Sequence, residues 1–453
     1  MSTAAPTAAD AAVSPADRAS RTGPIRRIIV GSLATGLVVA AVLTLVVFSG
    51  ASEPFITGSG LLGFAVGWAM LAVLSTRKTN QPQRWAFAPA AGMAVTGIGL
   101  LLLAPGDGAL TAAGWVWPPL LLALAAWMAF RVHRDLAAGS GRWPLYVVVA
   151  LMAAAAVGGA VETVGLAADQ RSYTMPGRLY DVGDQRLHLD CTGSGSPTVV
   201  LMNGLGEYSA SWARIAPAVA GTTRVCAYDR AGQGWSEDAS GPQDGLAAAT
   251  DLHTLLSRAG EDGPYLLVGH SIGGDYALTY AARYPEQVAG MVLLDTTPPY
   301  GVTATAHTGT PGPLALLPSL ARLGIGRLLP TSFWSTLPQP AAGQVTAFST
   351  SPRGARNTAA ESGTMPALLS QAQALSTLGS APLVVLTAAE HVAVPDWAAA
   401  HNRMAALSTN SSHREADASH GGLMEDEHGA TTSAHAINDV VRAERTGTRL
   451  PKG

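Results

Sequence analysis

Tyr265-Leu-Leu-Val-Gly-His-Ser-Ile-Gly-Gly274 is the stretch whose reading decides the fold. An apolar run ends in Gly-His-Ser-Ile-Gly, and an Ala/Tyr/Leu-rich helical pattern follows directly. This is a G-x-S-x-G pentapeptide in the setting of strand, sharp turn and helix. Such a turn is strained and lifts the hydroxyl of its serine, here Ser271, above the edge of a sheet. Gly269 and Gly273 fall where neighbouring backbone passes too close for a side chain. The same five letters arise by accident in ordinary Gly/Ser turns, so the flanking pattern and the rest of the chain must carry the reading.

The chain has 453 residues, long for one domain, which implies two or more units. Only 13% of residues are charged and 48% are hydrophobic, with a mean hydropathy of +0.23. That balance implies membrane segments. The net charge is −3, and no basic stripe with interleaved aromatics occurs, which excludes nucleic acid as a partner class. Two cysteines, Cys191 and Cys226, cannot build a disulfide framework or a cysteine-based metal site.

Residues 1–24 are Ala, Ser, Thr, Pro and Asp without periodicity and read as a disordered tail. A transmembrane region over 25–169 follows, with five apolar stretches at about 28–48, 55–75, 85–104, 110–130 and 145–167. Each is close to the ~20 residues that cross a bilayer. The first is too long for a signal peptide and is followed by further spans. Arg18, Arg21, Arg26, Arg27, Arg77, Lys78, Arg84, Arg131, Arg134 and Arg142 all fall on one side of such a bundle. The alternate loops, Ser49 to Pro54 and Pro105 to Gly108, carry no basic residue. This places the N-terminus in the cytoplasm, and an odd number of spans puts everything after residue 168 outside. Trp115, Trp117, Trp127 and Trp143 lie near the ends of the stretches, as interface-anchoring indoles do. Glu162, in the last stretch, is expected near the outer interface, because an ionisable group is costly at the midplane.

From Tyr173 the pattern changes to short apolar runs alternating with helical stretches. Strands are expected at 178–182, 186–191, 198–202, 224–228, 265–268, 291–294, 383–386 and 414–416. Helices are expected at about 208–219, 244–259, 273–284, 396–407 and 432–446. Continuous apolar strands between helices imply a mostly parallel α/β sheet covered on both faces. Between about 297 and 380 the alternation breaks down into Pro- and Gly-rich sequence with short apolar pieces. That is too long for a plain loop and reads as an inserted cap within a domain spanning 170–453.

Residues 173–447 resemble the α/β-hydrolase superfamily, a doubly wound, mostly parallel sheet with a helical cap. Four motifs carry the resemblance in order. Asn203-Gly-Leu-Gly206 is similar to the family's oxyanion loop, with Asn203 where His is usual. Tyr228-Asp-Arg-Ala-Gly-Gln-Gly-Trp-Ser236 is similar to its D-x-x-G-x-G-x-S turn. Gly269 to Gly273 is the elbow, and Ala418-Ser-His420 matches the histidine position. The resemblance implies that Cys191 and Cys226 lie on neighbouring strands, where either a disulfide or two buried thiols fit.

A serine hydroxyl is a weak nucleophile without a base to take its proton, and the chain order of this fold is Ser, acid, His. Ser271 is the nucleophile candidate and His420 the base. The family usually places its acid after the seventh strand in a G-x-x-D pattern. Here that turn reads Ala388-Ala-Glu-His-Val-Ala-Val-Pro-Asp396, with Glu390 one position short. Asp295 ends the sixth strand, where some members carry the acid. The acid therefore stays open between Asp295 and Glu390, and Asp396 is expected to cap the next helix. The backbone N–H groups of Leu205 and Ile272 are the expected oxyanion donors. No cofactor or metal is implied. The resulting expectation is a membrane-embedded serine hydrolase of carboxylic esters, with a small-molecule ester or lipid as substrate. Two rivals stay open. One is an amide hydrolase trimming N-terminal residues, for which Glu361 is the sole cap carboxylate available to hold an amine. The other is a membrane receptor or scaffold reusing a hydrolase fold.

Overall fold

The structure, a computed structural model, describes residues 15–137, 141–300 and 312–451. The expected disordered tail lies outside them for residues 1–14. Residues 15–24, expected in that tail, instead extend the first helix. The chain divides between Thr163 and Val164 into two compact units.

The first unit is all helix: α1 (Pro15–Val42), α2 (Glu53–Lys78), α3 (Phe87–Leu103), α4 (Asp107–Ala113), α5 (Trp117–Asp135) and α6 (Trp143–Ser172), whose last turns enter the second unit. Four of its segments are long and apolar enough to cross a membrane: Ile25–Val47, Glu53–Lys78, Arg84–Leu103 and Trp143–Ser172. The stretch expected as one span at 110–130 is a pair of helices, α4 and α5, bent by 46°. Pro118 and Pro119 explain the break, since neither has an N–H to continue the preceding helix. Helices α1 and α2 pack through small residues: Gly63 lies against Ala40, and Gly67 against Ser32 and Gly36, too close for a side chain on either glycine. Ile25, Leu71, Met128, Val132 and Leu145 form the buried core. Trp127, itself exposed, meets the buried Trp85 edge-on at 6.1 Å, and Trp85 in turn meets the buried Trp68 at 5.9 Å. Trp115 and Trp143 are exposed, and Glu162 is buried.

The second unit is built on eight strands: β1 (Arg178–Asp181), β2 (Arg186–Thr192), β3 (Thr198–Met202), β4 (Val225–Tyr228), β5 (Tyr265–His270), β6 (Val288–Leu294), β7 (Leu383–Ala388) and β8 (Ser411–Ala416). Their order is β1-β2-β4-β3-β5-β6-β7-β8. β1 and β2 pair antiparallel, β2 and β4 likewise, and the remaining pairs are parallel. The hairpin between β1 and β2 turns at Gly183, whose φ of 122° suits glycine alone.

Successive strand residues point to opposite faces, so both faces are apolar and both are covered. Leu267 and Val200 pack on one face with Leu252, Leu256, Tyr276 and Tyr280. These come from α8 (Gly245–Ala259) and α9 (Ile272–Arg283), which follow α7 (Ile215–Ala220) in the chain. Leu266 and Val268 pack on the other face with Ile215 and Val219 of α7. Ile437 and Val440 complete that face from the C-terminal helix.

Between β6 and β7 the described chain is helical, with α10 (Leu317–Arg322), α11 (Thr331–Trp334), α12 (Ala341–Thr350) and α13 (Pro352–Ala372). Then come α14 (Pro395–Ala405), α15 (Gly422–Glu425) and α16 (Glu427–Thr446). Cys191 and Cys226 face one another across β2 and β4 and are joined as a disulfide.

Candidate active site

Ser271 is the single residue between β5 and α9, and its backbone has φ 54° and ψ −129°. A non-glycine residue in that region is strained, and it persists because its surroundings over-determine it. Its N–H donates to Leu294 O at 3.1 Å, and its carbonyl accepts from Gly274 N at 3.1 Å. A side chain on Gly269 would run into the backbone of Gly273 and Gly274, and one on Gly273 into the Met202 carbonyl. The two glycines thus let the strand, the turn and the next strand close around one serine.

Asp295 follows β6 directly, also at positive φ (43°), and is fully buried. Its Oδ1 accepts from Ala388 N and from Trp397 Nε1, each at 3.0 Å. Its Oδ2 accepts from His420 Nδ1 at 2.6 Å and from His391 Nδ1 at 2.6 Å. Burial alone would raise this carboxyl. The hydrogen bonds from His420, the Ala388 N–H and His391 outweigh burial and hold it at about 2. Of the two carboxylates left open by the sequence, Asp295 is the one that meets the imidazole of His420. Glu390 accepts the backbone N–H of His420 at 2.8 Å instead. Asp396 is the second residue of α14, whose cap is Val394, so the expected capping role is corrected.

The loop from Asn203 passes beside Ser271, and a Cβ on Gly204 would stand 3.1 Å from Ser271 Cβ. Asn203 is buried and spent on structure: its Nδ2 donates to Tyr228 O at 2.9 Å, and its Oδ1 accepts from Trp212 Nε1 at 2.7 Å. Ile272 opens α9 with its N–H at a helix N-terminus, where the dipole favours negative charge. Leu205 is half-buried against the core.

Arg230 ties this loop to the segment between β6 and β7. Its guanidinium donates to Asn203 O at 2.6 Å, to Gly204 O at 3.0 Å and to Glu361 Oε1 at 2.8 Å. It lies 4.3 Å from the ring centre of Tyr276, whose hydroxyl also donates to Glu361. Gln233 Nε2 donates to the other Glu361 oxygen at 2.5 Å. A carboxylate so engaged has no free charge for a substrate amine, which removes the role expected of Glu361 in an N-terminal amide hydrolase.

Three side chains that the sequence did not single out join the site. His391 is one. Glu207 and His270 are the others: His270 Nδ1 bonds Glu207 Oε1 at 2.6 Å, and His270 Nε2 bonds His420 O at 2.9 Å. Glu207 Oε2 accepts the Gly204 N–H at 2.5 Å. A carboxylate and a carbonyl both only accept, so His270 donates from both nitrogens and is an imidazolium. Burial opposes that charge, and Glu207 outweighs burial, raising His270 while Glu207 is lowered. This pair fixes the loop carrying His420 to the residue beside Ser271. The only sequence signal for it is a histidine inside the pentapeptide.

Two groups of potential metal-ligand atoms occur among the described residues. In the first, Cys191 and Cys226 are consumed by their disulfide. In the second, Asp295, His391 and His420 lie at hydrogen-bond distance, closer together than atoms sharing a zinc ion at about 2.1 Å each would stand.

Residues 197–326 match the family model described as the alpha/beta hydrolase fold. The second unit is an α/β hydrolase by fold. The hydrolase unit is similar to an uncharacterised protein of Schizosaccharomyces pombe, 36% identical over 152 residues, covering 26% of this chain and 28% of that one. It is also similar to a lipase of Mycobacterium tuberculosis, 39% identical over 110 residues, covering 24% of this chain and 41% of the lipase. The solved structure of Cfl2 from Burkholderia cenocepacia is 24% identical, covers 58% of this chain and 95% of Cfl2, and aligns with a TM-score of 0.46. The chain spans about a fifth to a half of the length of the curated relatives it matches, from 19% to 47%.

Proposed function

We propose that the chain is a membrane-anchored serine hydrolase that cleaves carboxylic esters outside the cytoplasm. The observation that carries the reading is the bond from His420 Nδ1 to Asp295 Oδ2, 2.6 Å long, on a loop tied through His270 to the strained Ser271 turn. With Nδ1–H committed to the carboxylate, Nε2 carries the lone pair that accepts a proton. Ser271 Oγ attacks the ester carbonyl while His420 Nε2 takes its proton, and Asp295 stabilises the imidazolium so formed. The oxygen that gains charge is received by the N–H groups of Leu205 and Ile272. Collapse of the tetrahedral intermediate expels the alcohol, which takes the proton back from His420 and leaves acyl-Ser271. Water, deprotonated by the same imidazole, then releases the acid.

A serine in the elbow supports ester rather than haloalkane or epoxide substrates, which this superfamily attacks with a carboxylate. The relative named a lipase supports the same class. Apolar helices before the hydrolase unit and apolar residues between β6 and β7 favour a lipid-like acyl chain. The disulfide suits an oxidising compartment, in keeping with the arginine distribution.

Cleavage of short and long p-nitrophenyl esters by membranes containing the chain tests the proposal. Ser271→Ala abolishes turnover, Asp295→Asn lowers kcat by about 10⁴, and Glu390→Gln stays within about tenfold of wild type. Turnover that survives Ser271→Ala, or a larger loss at Glu390 than at Asp295, contradicts the assignment.

A further inference from the structure

Large apolar side chains are scarce on the surface of the second unit: among its described residues eight are exposed. Six of them, Val164, Met175, Leu320, Ile325, Leu328 and Leu329, lie on two short segments, and Leu246 and Val394 make up the rest. One segment is the last turns of α6 with the residues just after it, and the other is 320–329, between β6 and β7. Leu328 is 78% exposed. Apolar side chains scattered singly over a surface are ordinary, whereas a gathered set marks an interaction surface.

Arg327 joins the two segments. Its Nη2 pairs with Asp169 Oδ2 at 2.8 Å, and a side chain on Gly165 would run into its guanidinium. The guanidinium therefore lies along one turn of α6, about 6 Å of helix axis. A side chain on Gly343 would likewise meet the Tyr173 hydroxyl, so the chain leaving α6 also closes on α12. Asp169 is the first charged residue after the apolar stretch that ends at about 167, and Arg171 follows it. In a helix that crosses a bilayer, such a change from apolar to charged marks the passage from acyl chains to headgroups.

We propose that the face formed by Leu320, Ile325, Leu328 and Leu329 rests in the outer headgroup region of the bilayer that α6 crosses, and that a lipid-like ester reaches Ser271 from this lipid surface. The inference rests on the membrane-anchored hydrolase reading above and names the side from which its substrate comes. Lipid, rather than a partner protein, fits this face because Arg327 fixes it to the end of a membrane-length helix. Val164, next to Gly165 on that helix, is itself 57% exposed and continues the apolar surface. Apolar faces of interfacial segments sink about 5–10 Å into the boundary between headgroups and acyl chains. That depth matches the single turn of α6 that Arg327 covers. From the turn Gly326–Leu328 the path to the site is short. A Cβ on Gly326 would stand 3.3 Å from Thr350, and Phe348 of the same helix meets Tyr208 with ring centres 5.0 Å apart. Tyr208 follows Glu207, which holds the Gly204 N–H beside Ser271.

The test uses the full chain in phosphatidylcholine vesicles. The two cysteines of the sequence are joined to each other, so Leu328→Cys introduces a unique thiol for a water-sensitive fluorophore. Arg442→Cys on α16, where the side chain is 71% exposed, is the control. A nitroxide near the headgroup end of a lipid acyl chain quenches the label at 328 at least about twofold more than the label at 442. Equal quenching at both positions, or a label at 328 that reports water, overturns the proposal. A label shielded from water yet untouched by the nitroxide marks a protein partner at this face and overturns it as well. Leu328→Glu gives the second readout. It cleaves p-nitrophenyl acetate in solution at the wild-type rate, and p-nitrophenyl palmitate carried in the vesicles about tenfold more slowly. The same relative rate on both esters, lowered or not, overturns the entry of substrate from lipid. The expected quenching without cleavage of either ester by the unsubstituted chain overturns the hydrolase reading, and substrate entry with it, but not the lipid-facing surface.

Discussion

A serine hydroxyl becomes a nucleophile only through the groups around it, and the proposed site draws on four separate stretches of chain. Ser271 sits after β5, Asp295 after β6, His391 after β7 and His420 after β8. The same local physics leaves one residue out of register with its surroundings. Asp275, in the first turn of α9, is fully buried, and among the described residues neither of its oxygens has a hydrogen-bond partner. Burial drives its carboxyl well above the usual range, so it stays protonated when folded, whereas the unfolded chain ionises it near 3.9. Because the folded state then holds the extra proton, stability falls as pH rises above about 4. Asp275→Asn removes that slope. The gap in unfolding temperature between the variant and wild type therefore widens from pH 4 to pH 8, and parallel curves contradict the assignment. At this scale Ser271 and His420 were legible because fixed local patterns surround them. The acid was not, because its identity depends on which strand end reaches the imidazole, and no local pattern marks that. His391 and Glu207 were silent for the same reason: each matters through a partner far away in sequence.

Elements were more legible than side chains. Strands β3 to β7, buried on both faces, read as continuous apolar runs, and all eight strands were placed within a few residues. The segment between β6 and β7 resisted reading because α10, α11 and α12 are short and the 21-residue α13 carries Pro366 in its interior. Its attachment is electrostatic rather than periodic: Glu361 of α13 holds Arg230, which in turn holds the carbonyls of Asn203 and Gly204 beside Ser271. Both partners are over nine-tenths buried. Glu361→Ala strands a buried guanidinium, and breaking a pair of this kind costs about 3–5 kcal/mol. Denaturant unfolding of the hydrolase unit in the full chain should show that loss, with ester turnover falling as the loop at Asn203 loosens. A loss under about 1 kcal/mol would mean that the pair does not hold this helix in place.

At the scale of the molecule, a helical unit with four membrane-length apolar segments and one bent pair is joined to a unit with the α/β-hydrolase fold. Composition made the four long apolar helical segments legible, since they are a matter of length and apolarity. The bend between α4 and α5 was missed because two prolines break a stretch that hydropathy alone reads as continuous. The proposed orientation combines the arginine asymmetry, an odd number of crossings when the bent pair counts as one, and the disulfide between β2 and β4. A membrane-impermeant fluorophosphonate applied to intact cells expressing the chain tests serine chemistry and location together, with the adduct mapped by mass spectrometry. The account predicts an adduct on Ser271 in intact cells that is absent from Ser271→Ala. An adduct that forms only after permeabilisation contradicts the location, and no adduct under either condition contradicts the serine hydrolase itself.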